Sequence, residues 1–189
     1  MTDFLLDVEK CLEVLTGGGI ILYPTDTVWG LGCDATNKEA VEKLYKLKQR
    51  PGNKSMVVLV ADKKDILRYV TQLDLSVFDY LKNVSTPTTV IYEGAIGIAE
   101  NIIGRDGTVA IRLVSEPFCK NLIKRFRKPI VATSANLSGE PAPGLFSDIK
   151  DDIREGADYI VRYRQDDITI ASPSAIVKWN KNGSITIIR

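Results

Sequence analysis

Three cations fall close together in the chain. Lys48, Arg50 and Lys54 stand at the end of a predicted helix and in the loop beyond it, and Pro51-Gly52 holds that loop short. Arg presents paired donors to a phosphate and Lys a compact point charge, so the trio suits a polyphosphate. Cations there also complement a helix C-terminus, which is a sufficient structural reason for them. A second polar group, Thr25-Asp26-Thr27, lies in the run 23–32 directly after an apolar strand. Strand ends of open α/β sheets are where ligands bind, although Asp26 bonded to its own backbone would make an ordinary turn. A third group, Thr133-Ser134-Ala135-Asn136-Leu137-Ser138, follows another apolar strand. Three hydroxyls and an amide there exceed what a turn requires, and they donate hydrogen bonds without full charge. Arg112 sits late in a strand among Ala110, Ile111 and Leu113. A guanidinium in such surroundings needs an anionic partner, either an internal carboxylate or that of a ligand.

What is missing narrows the chemistry. The 189 residues contain no histidine. Ser-His and Cys-His nucleophile pairs, His-ligated metals and imidazole proton shuttles are therefore excluded. The three cysteines, at 11, 33 and 119, form no CxxC pair, so a thiolate zinc site is not expected. Cys11 and Cys119 read as core residues, and Cys33 has no neighbouring base. Gly17-Gly18-Gly19 lies after a helix and before a strand, the reverse of a phosphate-binding loop. Lys and Arg number 25 and Asp and Glu 24, giving a net charge of +1. Bulk attraction to nucleic acid or membrane has no basis in that balance. The basic run Lys124-Arg125, Arg127-Lys128 reads as a solvated helix face, with contact to RNA phosphates as the alternative. The N-terminus lacks the basic start of a signal peptide, and no apolar run reaches the roughly 18 residues of a membrane span. A reduced, cytoplasmic protein is expected.

The elements that must position these groups follow from periodicity. Phe4, Leu5, Val8, Cys11, Leu12 and Leu15 recur at helical spacing, predicting a helix near 3–16 that the glycines end. Residues 20–23 read as a buried strand. Thr36 to Glu39 reads as a capping box opening a helix through Leu47, stopped by Arg50-Pro51-Gly52. Residues 56–60 read as a strand, Asp62 caps a helix to Val70, and 75–81 predicts another helix. Residues 88–92 and 108–113 are rich in β-branched residues and read as strands. Glu116-Pro117 begins a helix, 129–133 is a strand, Ser147 starts a weaker helix, and 159–162 reads as a strand. Residues 174–179 and 184–189 read as a hairpin around Asn182-Gly183. Helices and strands alternate without repeats, so one α/β domain over 1–189 is expected, its helices packed on a twisted, mixed sheet. The Pro- and Gly-rich stretch 139–144 reads as an active loop.

Five strings in order resemble the YrdC-like family, the threonylcarbamoyl-AMP synthases. They are YPTDTVWGLG at 23–32, KQRPGNK at 48–54, TVAIR at 108–112, TSANLSG at 133–139 and SPSAI at 172–176. The resemblance implies a twisted open mixed sheet with flanking helices and a concave basic groove, in the short single-domain form. It implies synthesis of threonylcarbamoyl-AMP and pyrophosphate from L-threonine, bicarbonate or CO2, and ATP, with Mg²⁺ accompanying the ATP. The product then serves other proteins that modify tRNA. By that likeness Thr27, Arg112, Ala132 and Ser174 hold threonine. Lys48, Arg50, Lys54, Thr108, Ser134, Asn136, Ala142 and Arg189 hold the nucleotide, and Lys48 and Arg50 are catalytic. No protein nucleophile is needed, since alignment and charge neutralisation can supply the catalysis. The family's Trp-Pro-Gly is here Val84-Ser85-Thr86, many members carry Asp where Lys178 stands, and some carry a histidine near Leu59. The rival class is a non-catalytic RNA-binding module in translation or ribosome assembly. Such a module would release no pyrophosphate from ATP.

Overall fold

A computed structural model describes residues 4–52, 56–71, 73–180 and 183–189. Helix α1 (Leu5–Thr16) buries Val8, Cys11 and Leu15 along one stripe. Gly18 then turns the chain at φ +73°. Strand β1 (Ile21–Tyr23) pairs antiparallel with β2 (Gly30–Gly32), and the turn between them carries Thr25, Asp26 and Thr27. Helix α2 (Lys38–Leu47) follows, then β3 (Val57–Val60), α3 (Lys63–Tyr69), α4 (Val77–Asn83) and β4 (Thr88–Glu93). Next come β5 (Thr108–Leu113), α5 (Pro117–Phe126) and β6 (Ile130–Ser134). The chain finishes with α6 (Asp151–Glu155), β7 (Tyr159–Ile160), β8 (Ala175–Trp179) and β9 (Ile185–Ile187).

Among the described residues the strands form one mixed sheet in the order β7-β1-β2-β6-β3-β5-β4-β8-β9. Strand alternation sends side chains to two helical layers. Ile21, Tyr23, Leu59 and Ile130 pack with Val8, Phe118 and Leu122 of α1 and α5. Leu22, Val58, Val90 and Val131 pack on the other face with Leu44, Ile66 and Val77 of α2, α3 and α4. The mixed sheet with flanking helices is the architecture expected from the sequence.

Register fixes what lies beside what. Arg112 pairs with Leu59 on one side and Thr89 on the other; Thr89 pairs with Ile176, and Val57 with Ala132. Paired residues point to the same face, so Ala132, Ser134, Val57, Arg112, Thr89 and Ile176 share one face across five adjacent strands. Gly32 permits the close contact beneath them. A Cβ there would lie 2.5 Å from the Val131 carbonyl and 2.7 Å from the Tyr23 ring.

Three local expectations need correction. Helix α2 is capped by Asn37, whose side chain accepts from the Ala40 amide, while the Thr36 hydroxyl donates to Asp34. Asp34 offers Thr36 a nearer acceptor, leaving the cap to the next residue. The same helix ends before Arg50. Gln49 takes φ +48°, its amide donates to the Lys46 carbonyl, and the Arg50 amide donates to the Tyr45 carbonyl. This is a Schellman turn built without glycine. The late helix begins at Asp151 rather than Ser147, because Ile149 is extended between a short 3-10 turn and α6. The hairpin of β8 and β9 forms as expected, with Asn182 outside the described residues and Gly183 at φ +76°.

All three cysteines are buried and unpaired. Burial pushes each thiol above its ordinary range. No helix among the described residues is long and apolar enough to cross a membrane.

Asp7 ties the first helix to the segment around and after β7. Although 6% exposed, it accepts from the Tyr159 hydroxyl at 2.6 Å and from the amides of Arg162 and Tyr163 at 3.1 and 2.9 Å. Hydrogen bonds to a buried carboxylate contribute more than neutral ones. Asp7→Ala should therefore lower stability by about 2–4 kcal/mol in urea titration, and an unchanged midpoint would contradict the bond pattern.

Candidate active site

The shared sheet face opens into a cavity of about 390 Å³, a volume ordinary for small-molecule sites. Its wall includes Thr25, Thr27 and Trp29 from the β1–β2 turn, Gly30 of β2, Arg50 after α2, Met56 just before β3 and Val57 at its start. Arg112 of β5, Ala132, Thr133 and Ser134 of β6, and Glu140 and Ala142 of the Pro-Gly loop complete one side. Pro173, Ser174, Ile176 and Arg189 close the other. Three guanidinium groups and one carboxylate therefore share this wall.

Arg112 is held from beneath. Its Nη2 lies 3.0 Å from Asp26 Oδ1, with the two side chains 6% and 9% exposed. The contact satisfies an ion pair in distance, but Asp26 Oδ1 is not aligned as a hydrogen-bond acceptor. Arg112 Nη1 donates to Thr27 Oγ1 at 3.0 Å, and Nη2 lies 3.4 Å from Thr25 Oγ1. Thr25 Oγ1 gives its proton to the Val28 carbonyl at 2.9 Å, so Thr27 is the donor in the 2.9 Å contact between the two threonines. Both sequence readings thus meet in one residue. Arg112 has its internal carboxylate and still faces the cavity. Its Nε finds no acceptor among the described residues.

The Schellman turn separates Lys48 from Arg50. Arg50 reaches the cavity wall, and burial holds its guanidinium below the usual Arg range. Lys48 points inward and is 1% exposed. Its ammonium donates to the Ser134 carbonyl at 2.5 Å and the Asn136 carbonyl at 2.6 Å, and its own carbonyl accepts from the Ser138 amide. The direct phosphate contact and catalytic role expected for Lys48 are not what this geometry offers; the lysine braces the 134–138 segment from behind. Burial first, and the nearby Arg50 second, lower its pKa to about 8.

Two further expected residues stand aside. Thr108 gives its hydroxyl to Asp106 at 2.7 Å and does not line the cavity. Asn136 spends its amide on the carbonyls of Leu137 and Glu140 and borders a neighbouring hollow behind the Pro-Gly loop. Lys54 lies outside the described residues. Thr27, Arg50, Arg112, Ala132, Ser134, Ala142, Ser174 and Arg189 all meet at the cavity. Ser174 is fixed by a 2.8 Å hydroxyl contact with Thr89, and its carbonyl accepts from Arg189 Nη2 at 3.0 Å. Among the lining residues, Val57 and Ile176 are aligned with Arg112 by strand register, and Met56 precedes β3. The departures are accommodated elsewhere, with Lys178 4.0 Å from Glu93 and Leu59 fully buried.

Fold and cavity together define an α/β protein in which guanidinium, hydroxyl and apolar groups from separate strands and loops share one hollow. The chain belongs to the Sua5/YciO/YrdC family, whose description is telomere recombination and which matches residues 13–189. A threonylcarbamoyl-AMP synthase of Pseudoalteromonas translucida is 32% identical over 157 residues, 82% of this chain and 84% of that protein. The crystal structure of E. coli YciO superposes with a TM-score of 0.84 at 23% identity, covering 99% of this chain and 89% of that one. P. abyssi Sua5 complexed with L-threonine superposes with a TM-score of 0.85 at 21% identity, covering 97% of this chain. The present chain spans 54% of that longer protein.

The Lys48 brace has a signature in pH. Unfolded, its ammonium keeps its proton to about pH 10.4; folded, it releases near 8. Folding therefore expels a proton between those values, and stability rises with pH across that window. Below it both states are charged and the burial penalty is fully present. The urea midpoint of the natural chain should climb relative to Lys48→Met from pH 8 to 10, whereas a constant difference would contradict the assignment.

Proposed function

We propose that this chain makes threonylcarbamoyl-AMP and pyrophosphate from L-threonine, bicarbonate or CO2, and ATP. The observation that carries the reading is the convergence of Arg50, Arg112 and Arg189 on one cavity with the Thr27 and Ser134 hydroxyls. The relatives named threonylcarbamoyl-AMP synthase support it, at 32–36% identity over at least 72% of this chain in two cases.

Arg112, on the cavity wall, anchors the threonine carboxylate. Thr27 lies beside that anchor, and Ala132 and Ser174 bound the amino acid. The threonine amine attacks CO2, a C–N bond forms, and the amine proton passes to solvent. A carbamate oxygen then attacks the α-phosphorus of ATP, and the bond to the bridging oxygen breaks as pyrophosphate leaves. Arg50 and Arg189 offset charge on the departing phosphates. Ser134, on a segment braced by Lys48, and Ala142 bound the nucleotide. Acceleration comes from holding two anions in line, so no nucleophilic side chain is consumed.

Among the described residues no cluster of three or more His, Cys, Asp or Glu side chains could hold a metal, and Glu140 is the carboxylate on the cavity wall. That donor set fits Mg²⁺ carried by ATP oxygens and water, since Glu140 is already paired with Lys150. The ion would offset phosphate charge when bound.

The product is an activated acyl donor, so tRNA and threonylcarbamoyl-transfer proteins are the proposed downstream partners, in a cytoplasmic setting. The rival RNA-binding reading has less beneath it. Its basic run precedes Pro129 at one end of β6, whereas the cavity lies at the other end, at Ala132–Ser134. Lys128 is already paired with Asp34 at 2.6 Å.

Pyrophosphate release from ATP should require both L-threonine and bicarbonate; release without either would reject the reaction. Arg50→Ala should lower kcat/KM by about 100-fold to 1000-fold while leaving the fold intact. Near-natural turnover would remove its phosphate role. Arg112→Ala would strand Asp26 in the interior at a cost of about 3–5 kcal/mol. Arg112→Lys is the cleaner probe, since it keeps the charge and loses the paired donors. It should raise the threonine KM by about tenfold with little change in ATP KM.

A further inference from the structure

Arg164 lies 52 positions beyond Arg112 and on no helix or strand. Its backbone is left-handed, at φ +66°. That conformation is uncommon for a residue other than glycine. The surroundings here are specific. Arg164 Nη1 donates to the Thr25 carbonyl at 3.1 Å. Nε and Nη2 both reach Asp167 Oδ2, at 3.0 and 2.9 Å. The other oxygen of Asp167 accepts from the Thr169 amide at 2.9 Å. These contacts make a clamp of one guanidinium and one carboxylate. They fasten residues 164–169 to the turn that carries Thr25 and Thr27.

The same turn is the floor of the amino-acid end of the cavity. From Asp167 the chain of contacts runs through Arg164 to the Thr25 carbonyl. It continues from the Thr25 and Thr27 hydroxyls to the Arg112 guanidinium and Asp26. Arg164 is absent from the cavity wall itself. We infer that Arg164 is a positioning residue that sets the affinity for the amino acid by holding the Thr25–Thr27 turn in register with Arg112. The inference rests on the proposed reaction for the identity of that amino acid.

The physical reason lies in preorganisation. Thr27 Oγ1 accepts from Arg112 and donates to Thr25, so its position depends on where Thr25 sits. Remove the Arg164 guanidinium and the Thr25 carbonyl loses that donor, while Asp167 loses its cation. A loosened turn must then be reordered whenever threonine binds. That loss falls equally on the ground and transition states, because the turn meets the amino acid's anchor and not the reacting phosphorus. Equal loss raises KM and leaves kcat in place. Hydrogen bonds from Thr169 and Arg164 hold the Asp167 carboxyl at about 2. The clamp thus keeps its charge throughout the neutral range.

The experiment compares the full chain with Arg164→Ala, Arg164→Lys and Asp167→Asn in steady-state pyrophosphate release. L-threonine and ATP are varied separately, and thermal midpoints are taken alongside. Arg164→Ala should raise the threonine KM by about tenfold, with kcat and ATP KM within about twofold. Arg164→Lys, which can still donate to Thr25, should recover part of that loss, and Asp167→Asn should fall between. A threonine KM within twofold of natural for Arg164→Ala would overturn the inference. So would a uniform fall in kcat tracking a lower thermal midpoint. If the unsubstituted chain shows no threonine-dependent release, the proposed reaction fails on its own. The clamp is then read from limited proteolysis across 164–172: faster cleavage in Arg164→Ala supports it, and unchanged cleavage overturns it.

Discussion

A guanidinium buried in the middle of a sheet must be neutralised, and the site is organised around how that is done for Arg112. Placing the charge on β5 without a partner would be strongly unfavourable. Asp26 supplies the counter-charge from a turn far away in sequence, and the Thr25 and Thr27 hydroxyls occupy neighbouring donors. The turn between β1 and β2 is consequently pulled against the β5 face. One electrostatic demand thus fixes where the second strand of the sheet returns, and how deep the cavity beside it is. The same residue that closes the interior also lines the cavity.

The second organising feature is a two-residue spacing around a left-handed turn. Lys48 and Arg50 belong to one motif, yet Gln49 at φ +48° sends them in different directions. The lysine is absorbed into the protein, bracing the carbonyls of Ser134 and Asn136, and the arginine is presented to the cavity. A near-neutral chain can hold a locally basic hollow in this way. Its overall charge says little about the field at one site, because the cations of that site are gathered from Arg50, Arg112 and Arg189 at wide separations in sequence.

Much of the architecture was legible beforehand because strands and amphipathic helices announce themselves by period, and the polar strings sit where strands end. The local errors share a physical origin. Thr36 and Asn37 are both good capping residues, and the choice between them was made by Asp34, which claimed the threonine. The stop after α2 came from a left-handed Gln, a conformation the sequence advertises for Gly or Asn instead. At the site, most of the expected residues line one cavity, and three of them, Lys48, Thr108 and Asn136, point elsewhere. Thr108 lies beside an Asp106 that takes its hydroxyl, a local turn pattern visible in the sequence. The inward course of Lys48 had no such cue. The apolar wall at Val57 and Ile176, and the clamp from Arg164, arise only when distant segments are laid side by side.

The sulfur chemistry has a practical corollary. Cys11, Cys33 and Cys119 are all sealed in the interior with their thiols held protonated, and thiolate is the form that reacts with electrophiles. One cysteine engineered onto the surface would be the sole point at which a maleimide dye attaches to the native protein. Distances across the cavity mouth can therefore be followed by fluorescence without first stripping out the natural sulfurs.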